Sequence, residues 1–213
     1  MKNYRTNFPR NYGHPDIVLA LNLGLDAQAK WLLSYFEDEI QRGVVFRPDE
    51  TVQIGWTLVK LTTDAQGDLE IWEPRFDVMP VTWIRGANST VRDLILQREV
   101  CAQVDIEPSF PSLRQSGIIS PDFLGASGEF VMTRDESSGN DSGWLFREEA
   151  YQGSNGRHCS LFEIAVSHQK IIPFLALPAG ATVVCSQDSI RITYGSTEIS
   201  SVSNEFIGRA LIR

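Results

Sequence analysis

Apolar positions recur along the chain with two different periods, and the changes between them mark out the elements. Ile17 to Leu23 is a short, nearly continuous apolar run, the pattern of a buried strand. Asp26 then offers a helix cap, and Trp31, Leu32, Tyr35, Phe36 and Ile40 follow at helical spacing. Lys30, Glu37, Asp38 and Glu39 take polar positions, and Gly43 is a stop. This predicts an amphipathic helix over 26–42 with Trp31 on its apolar face. Thr51 to Thr62 and Asp68 to Trp72 predict two strands around a turn at Ala65-Gln66-Gly67, and Val81 to Ile84 another. Asn88 or Ser89 caps a second helix with Val91, Leu94, Ile95, Cys101 and Val104 on its face, and Pro108 and Pro111 bar its continuation.

The pattern then changes. Ser116 to Ser120 predicts a short strand, and Pro121 to Gly128 a turn-rich connection. Glu129 to Thr133 and Gly143 to Phe146 predict strands joined by a polar loop, Arg134 to Ser142. Leu161 to Val166 fits a strand or the start of a helix, and Ile171 to Leu177 is apolar up to Pro178. Thr182 to Cys185 and Ser189 to Tyr194 form a hairpin around Gln187-Asp188. Residues 1 to 15 read as an irregular arm, and the tail from Ser196 as polar until Phe206 to Ile212, which docks. The predicted fold class is α+β: antiparallel sheets with two amphipathic helices in the N-terminal half and a smaller, strand-rich C-terminal unit. The predicted domains are 1–113 and 114–213, expected to touch because no long linker separates them.

Composition and charge add four constraints. With 42% hydrophobic and 22% charged residues, the chain has ordinary globular usage, so an ordered core is expected. Cys101, Cys159 and Cys185 lie far apart without a CxxC pair, and Met1 to Gly13 lacks a signal-like apolar run; reduced thiols and a cytoplasmic setting are expected. The longest apolar stretch, Ile171 to Leu177, is interrupted by Pro173 and too short to span a bilayer. The formal net charge of −8 disfavours direct nucleic-acid contact and would steer a basic partner.

Catalytic and metal motifs are missing from the sequence. His14, His158 and His168 have no HxH or HxxxH spacing, so neither a metal nor a cofactor is expected. His158 and Cys159 are neighbours in a predicted strand and point to opposite faces. Gly125-Ala126-Ser127-Gly128 lacks the spacing and the leading strand of a nucleophile elbow, and no phosphate-cradling glycine motif occurs. Asp135-Glu136 with Asn140-Asp141 lacks the frame of a calcium loop and more naturally forms turns. Binding rather than catalysis is expected. The alternative is an enzyme or small-ligand-binding protein with a pocket between the two halves.

Six segments in the C-terminal part carry a resemblance. They are Gly117 to Ser120, Val131 to Glu136, Asp141-Ser142-Gly143-Trp144, Ser160 to Glu163, Ile171 to Leu175, and Leu177-Pro178-Ala179-Gly180. In this order they resemble a bacterial family first described as a domain of unknown function and grouped as class thirty-three of the polymorphic-toxin immunity proteins. Arg134-Asp135 stands where the family usually has Arg-Glu, and Gly153 is followed by Ser154 rather than the usual acidic pair. The resemblance implies a bacterial protein that neutralises a cognate toxin by binding it, and many such toxins are basic.

The predicted partner-binding surface is the loop Arg134 to Trp144, with Glu148 and Glu149 beyond. Asp141, Ser142 and Gly143 make the turn, Arg134 clamps Asp141, and a partly exposed Trp144 supplies apolar area. Asp135, Glu136, Glu148 and Glu149 supply the field that meets a basic partner. The competing reading is that Arg134, Asp141 and Trp144 only stabilise their hairpin.

Overall fold

The structure, a computed structural model, describes residues 1–8, 13–125 and 129–210. Residues 126 to 128 of the expected turn region, including most of the Gly125–Gly128 segment, lie outside the described residues. The chain divides into two compact units: Met1–Arg75 with Pro80–Arg92, and Phe76–Met79 with Asp93–Arg213. The division falls inside the second helix, α2, which runs Asn88–Gln103.

The first unit is built on a six-stranded sheet. Its path is β1 (Lys2–Arg5), β2 (Ile17–Leu21), β5 (Leu69–Pro74), β4 (Thr57–Thr63) and β3 (Thr51–Ile54). β6 (Trp83–Arg85) continues along the edge of β5 past the point where β2 stops. Every residue of β2 is buried, as its unbroken apolar run requires. The buried face of helix α1 (Asp26–Gln41) is Ala29, Leu32, Leu33, Phe36 and Ile40, a stripe at helical spacing. Trp31 lies beside that stripe and is 42% exposed, which corrects its expected place in the core. Asp26 is the first helical residue, and the cap position falls to Leu25, which has no side-chain capping bond; the Asp26 carboxylate pairs with Lys2 at 2.5 Å.

Three other local expectations change. The run 51–62 is two strands, because Gly55 and Trp56 turn the chain back between β3 and β4. The arm contains strand β1, whose sequence Lys-Asn-Tyr-Arg has no apolar alternation but pairs antiparallel with β2. It is fastened by Arg5, which donates to Asp16 at 2.8 Å and to Asp68 at 2.6 Å. The α2 backbone is capped from a distance: the buried carboxylate of Glu73 on β5 accepts from the N–H groups of Ser89 and Thr90 at 3.1 and 2.7 Å. A carboxylate there satisfies free helix donors and meets the positive end of the helix dipole.

The second unit carries a seven-stranded sheet in the order β10-β7-β9-β8-β11-β12-β13. These are β7 (Ser116–Ile119), β8 (Phe130–Arg134), β9 (Asp141–Glu148), β10 (Arg157–Ser160), β11 (Thr182–Cys185), β12 (Ile190–Tyr194) and β13 (Thr197–Ser200). The hairpin expected near 182–194 is β11–β12. The segment that fitted either strand or helix is helix α3 (Leu161–Ser167), whose Glu163 N–H donates to the Ser160 hydroxyl at 3.0 Å. The apolar run after it begins in a 3-10 segment, Gln169–Phe174. The tail adds β13 and helix α4 (Glu205–Ala210), docked through fully buried Ile207. The α+β class holds, but both sheets are mixed: β2 runs parallel to β5, and β7 parallel to β9.

Candidate partner-binding site

The tetrad Asp141 to Trp144 opens β9 and is bound into its own strand neighbourhood. Asp141 Oδ1 accepts from the Gly143 N–H at 2.9 Å. The Ser142 hydroxyl donates to the Ser116 carbonyl on β7 at 2.8 Å. Gly143 has φ 78°, and a Cβ there would collide with the Asp135 carbonyl just past the end of β8. That approach is close because the Asp135 N–H donates to the Gly143 carbonyl at 2.9 Å. Both the left-handed backbone and the contact demand glycine. Gly143→Ala is expected to cost about 2–3 kcal/mol from backbone strain and displacement of β8 from β9. A urea-unfolding midpoint equal to that of the unaltered protein would refute this.

Arg134 and Trp144 face each other across the β8–β9 ladder and point inward. Arg134 is 4% exposed, and Trp144 is fully buried. The guanidinium donates through Nη1 to the carbonyls of Ser109 at 2.5 Å, Leu177 at 2.6 Å and Leu175 at 3.2 Å, and through Nε to that of Ser142 at 3.2 Å. Burial pulls its pKa down to about 10, so it remains charged at neutral pH. Trp144 lies beneath it, 5.5 Å from the guanidinium carbon to the ring, and its Nε1 donates to the Leu175 carbonyl at 3.1 Å. The expected clamp from Arg134 to Asp141 does not form. Arg134 turns into the core toward backbone carbonyls, while the Asp141 carboxylate turns back onto its own turn. Of the two readings of these three residues, the hairpin-stabilising one describes their contacts.

The expected acidic residues separate. Phe130 pairs with Glu148, and Arg134 with Trp144, so Glu148 lies at the start of β8 and Asp135 follows its end. The six residue-to-residue steps of extended chain from Glu129 to Asp135 span about 20 Å. Asp135 and Glu136 are therefore exposed at one end of the hairpin, and Glu148 and Glu149 stand at the other.

At that second end the chain forms an open concavity of about 1150 Å³. Glu148 and Glu149 line it with Asp122 and Glu129, and Tyr151 and Lys170 add to its walls. Glu149 accepts from the Ser186 hydroxyl at 3.0 Å, and Glu129 from the Gln187 N–H at 3.2 Å, which fixes both carboxylates. Glu148 is half-buried: the Ser120 hydroxyl donates to its Oε2, and its buried Oε1 has no hydrogen-bond partner among the described residues. Four carboxylates against one ammonium give the concavity a net negative field. Asp122, Glu129 and Lys170 were not among the residues singled out from the sequence. The signal for Glu129 was the hairpin register, since a strand pairing Arg134 with Trp144 must bring the start of β8 beside Glu148. No such signal marks Asp122, which arrives from a turn, or Lys170, which arrives from a 3-10 segment.

The thiols offer no nucleophile to this region. Burial pushes the Cys101 thiol up to about 12 and the Cys159 thiol up to about 11, and it raises Cys185. His158 is exposed while Cys159 is buried, as alternation along β10 dictates. Among the described residues, no three His, Cys, Asp or Glu side chains gather as a set able to hold a metal ion.

Residues 96–194 match the Imm33-like domain. The match begins within α2 and ends at the last residue of β12. The Imm33-like domain thus contains the glycine-bearing tetrad, Arg134 with all four of its carbonyl partners, and every residue of the acidic concavity. The family resemblance carried by the segments from Gly117 to Gly180 holds for this C-terminal portion. Neither a curated protein nor a solved structure gives a match. Among the described residues, no helix is long and apolar enough to cross a membrane.

Proposed function

We propose that this chain is a non-catalytic bacterial immunity protein, acting in the cytoplasm, that neutralises a cognate toxin by binding it through the acidic concavity of its Imm33-like domain. The observation that carries this reading is the gathering of Asp122, Glu129, Glu148 and Glu149 at one end of the sheet, inside the matched segment. A fixed negative surface accelerates encounter with a basic toxin, and its apolar walls, including Tyr151, give the partner contact area. Arg134 and Trp144 are buried at the other end of the hairpin, where they hold the sheet together rather than touch the partner.

The test is charge reversal with a control at the other end of the hairpin. Glu129→Lys with Glu149→Lys is expected to leave the unfolding free energy within about 1 kcal/mol, since largely solvated charges contribute little to folding. The same pair should slow association with the toxin encoded beside the gene, with the greatest loss at low salt, and should abolish protection of cells expressing that toxin. Asp135→Lys with Glu136→Lys should leave both association and protection unchanged. The opposite outcome would put the contact surface at the Arg134–Ser142 loop. Loss of neither, in folded protein, would rule out both ends.

A further inference from the structure

We propose that Asn155-Gly156 is a site of spontaneous covalent modification, at which Asn155 loses ammonia and becomes aspartate and isoaspartate beside the acidic concavity. The reaction needs an asparagine side chain free to turn back on the backbone. It also needs a following amide nitrogen that no side chain shields, and access to water. Asn-Gly occurs once in the chain, at this position. Both residues are exposed and lie outside helix and strand, in the stretch between β9 and β10. Among the described residues, neither the Asn155 side-chain amide nor the Gly156 N–H has a hydrogen-bond partner. The one fixed group is the Asn155 carbonyl, which accepts from the Tyr151 hydroxyl at 2.8 Å.

The other described asparagines lack this combination. The Asn88 side-chain oxygen accepts from the Asn22 N–H at 2.8 Å, and the amide after Asn88 is held by Glu73. The amide after Asn140 donates to the Ser138 carbonyl at 3.0 Å. Both polar atoms of the Asn204 side chain are bound, to Gln103 at 2.7 Å and to the Ile207 N–H at 3.0 Å. Asn3 lies within a paired strand, the amide after Asn7 donates to the Asp16 carboxylate at 2.9 Å, and Asn22 precedes a bulky leucine.

Packing explains why glycine follows Asn155. A Cβ at position 156 would lie 2.6 Å from Ile118 Cγ2 and 3.3 Å from the Ile119 carbonyl oxygen. The chain must pass this close to β7 in order to enter β10, whose Arg157 pairs with Ile119. The bare amide that makes Asn155 reactive is thus a consequence of strand docking.

The steps balance with water as co-reactant. The Gly156 nitrogen loses its proton and attacks Asn155 Cγ; the N–Cγ bond forms, the Cγ–Nδ2 bond breaks, and ammonia leaves carrying that proton. Water then opens the cyclic imide at one of its two carbonyls. Opening at the backbone carbonyl leaves isoaspartate, with the chain routed through the former side chain. Opening at the other carbonyl leaves aspartate. Either product adds one negative charge. The isoaspartyl product also lengthens the main chain by a methylene and turns the carbonyl held by Tyr151 into a free carboxylate. Tyr151 lines the concavity, and its own carbonyl is held by Arg147 at 3.1 Å, so the change falls on a wall of that surface.

The whole folded protein, incubated at mildly alkaline pH and sampled over time, tests this by ion exchange and peptide mapping. A single more acidic form is expected to accumulate, with the change mapped to Asn155 before any other asparagine converts. Asn155→Gln should lose that form while keeping the same unfolding midpoint. The proposal is overturned if another asparagine converts first. It is also overturned if Asn155 persists in the folded protein while a sample held unfolded in urea converts, because the fold then shields the dipeptide. Neither outcome depends on whether the protein binds a toxin.

Discussion

Replacing Trp144 with alanine is expected to destabilise the protein by about 3–5 kcal/mol, the range for emptying a fully buried large aromatic site. The side chain is completely enclosed, and its ring centroid lies 6.0 Å from that of Phe146. Two interactions beyond burial are lost with it: the Nε1 bond to the Leu175 carbonyl, and the face offered to the Arg134 guanidinium. Trp144→Phe separates volume from hydrogen bonding. It keeps most of the ring, loses the N–H, and should cost about 1–2 kcal/mol. Urea unfolding of both variants gives the free energies. Toxin binding, normalised to the folded fraction at low temperature, should match that of the unaltered protein. A binding defect in fully folded Trp144→Phe would return Trp144 to the contact surface and contradict its burial.

Much of the architecture was written in the periodicity. The apolar run at Ile17 and the stripe from Leu32 to Ile40 depend on local pattern alone, and both elements form where the pattern puts them. Trp31 shows the limit of that reading. On a sixteen-residue helix a large apolar residue can stand at the margin of the buried stripe, and which margin is covered depends on packing that the sequence does not display. β1 fails for a related reason, since Lys-Asn-Tyr-Arg becomes a strand only because β2 offers an edge. α3 was more legible than its ambiguous reading allowed. Ser160 followed three residues later by Glu163 is a helix-start signature, and the Ser160 hydroxyl does cap the helix.

The candidate site was legible in part. Gly143 announced a turn, and its left-handed backbone is there. The tetrad's chemistry, however, is spent inward on β7, on β8 and on the core carbonyls. Residues close in sequence were read as one surface, whereas strand pairing carries Asp135 and Glu148 to opposite ends of the hairpin. Asp122 and Lys170 reach the concavity from turns more than forty residues apart in sequence, a convergence that only the tertiary fold produces.

Arg134 gives the second large expected effect. Its guanidinium enters the core without a carboxylate partner and is satisfied by backbone carbonyls from three stretches of chain: Ser109, Ser142, and the Leu175–Leu177 segment. Five donors in a rigid fork suit this role, and lysine cannot reproduce it. Arg134→Met keeps much of the aliphatic stem but removes the donors. The Leu175 carbonyl retains its bond from Trp144, while the Leu177 and Ser142 oxygens lose their guanidinium donors in a buried site. At about 1–3 kcal/mol for each buried group left unsatisfied, the expected loss is about 3–5 kcal/mol. Arg134→Lys should recover only part of it, because a lysine ammonium has no counterpart of the separate Nε donor held by the Ser142 carbonyl. Because the same residue ties three segments together, amide exchange in residues 175–177 and around Ser109 should accelerate together in Arg134→Lys, even where the protein remains folded. Equal stability of Arg134→Met and the unaltered protein would mean that these carbonyls find other donors, and that the guanidinium is not what joins the segments.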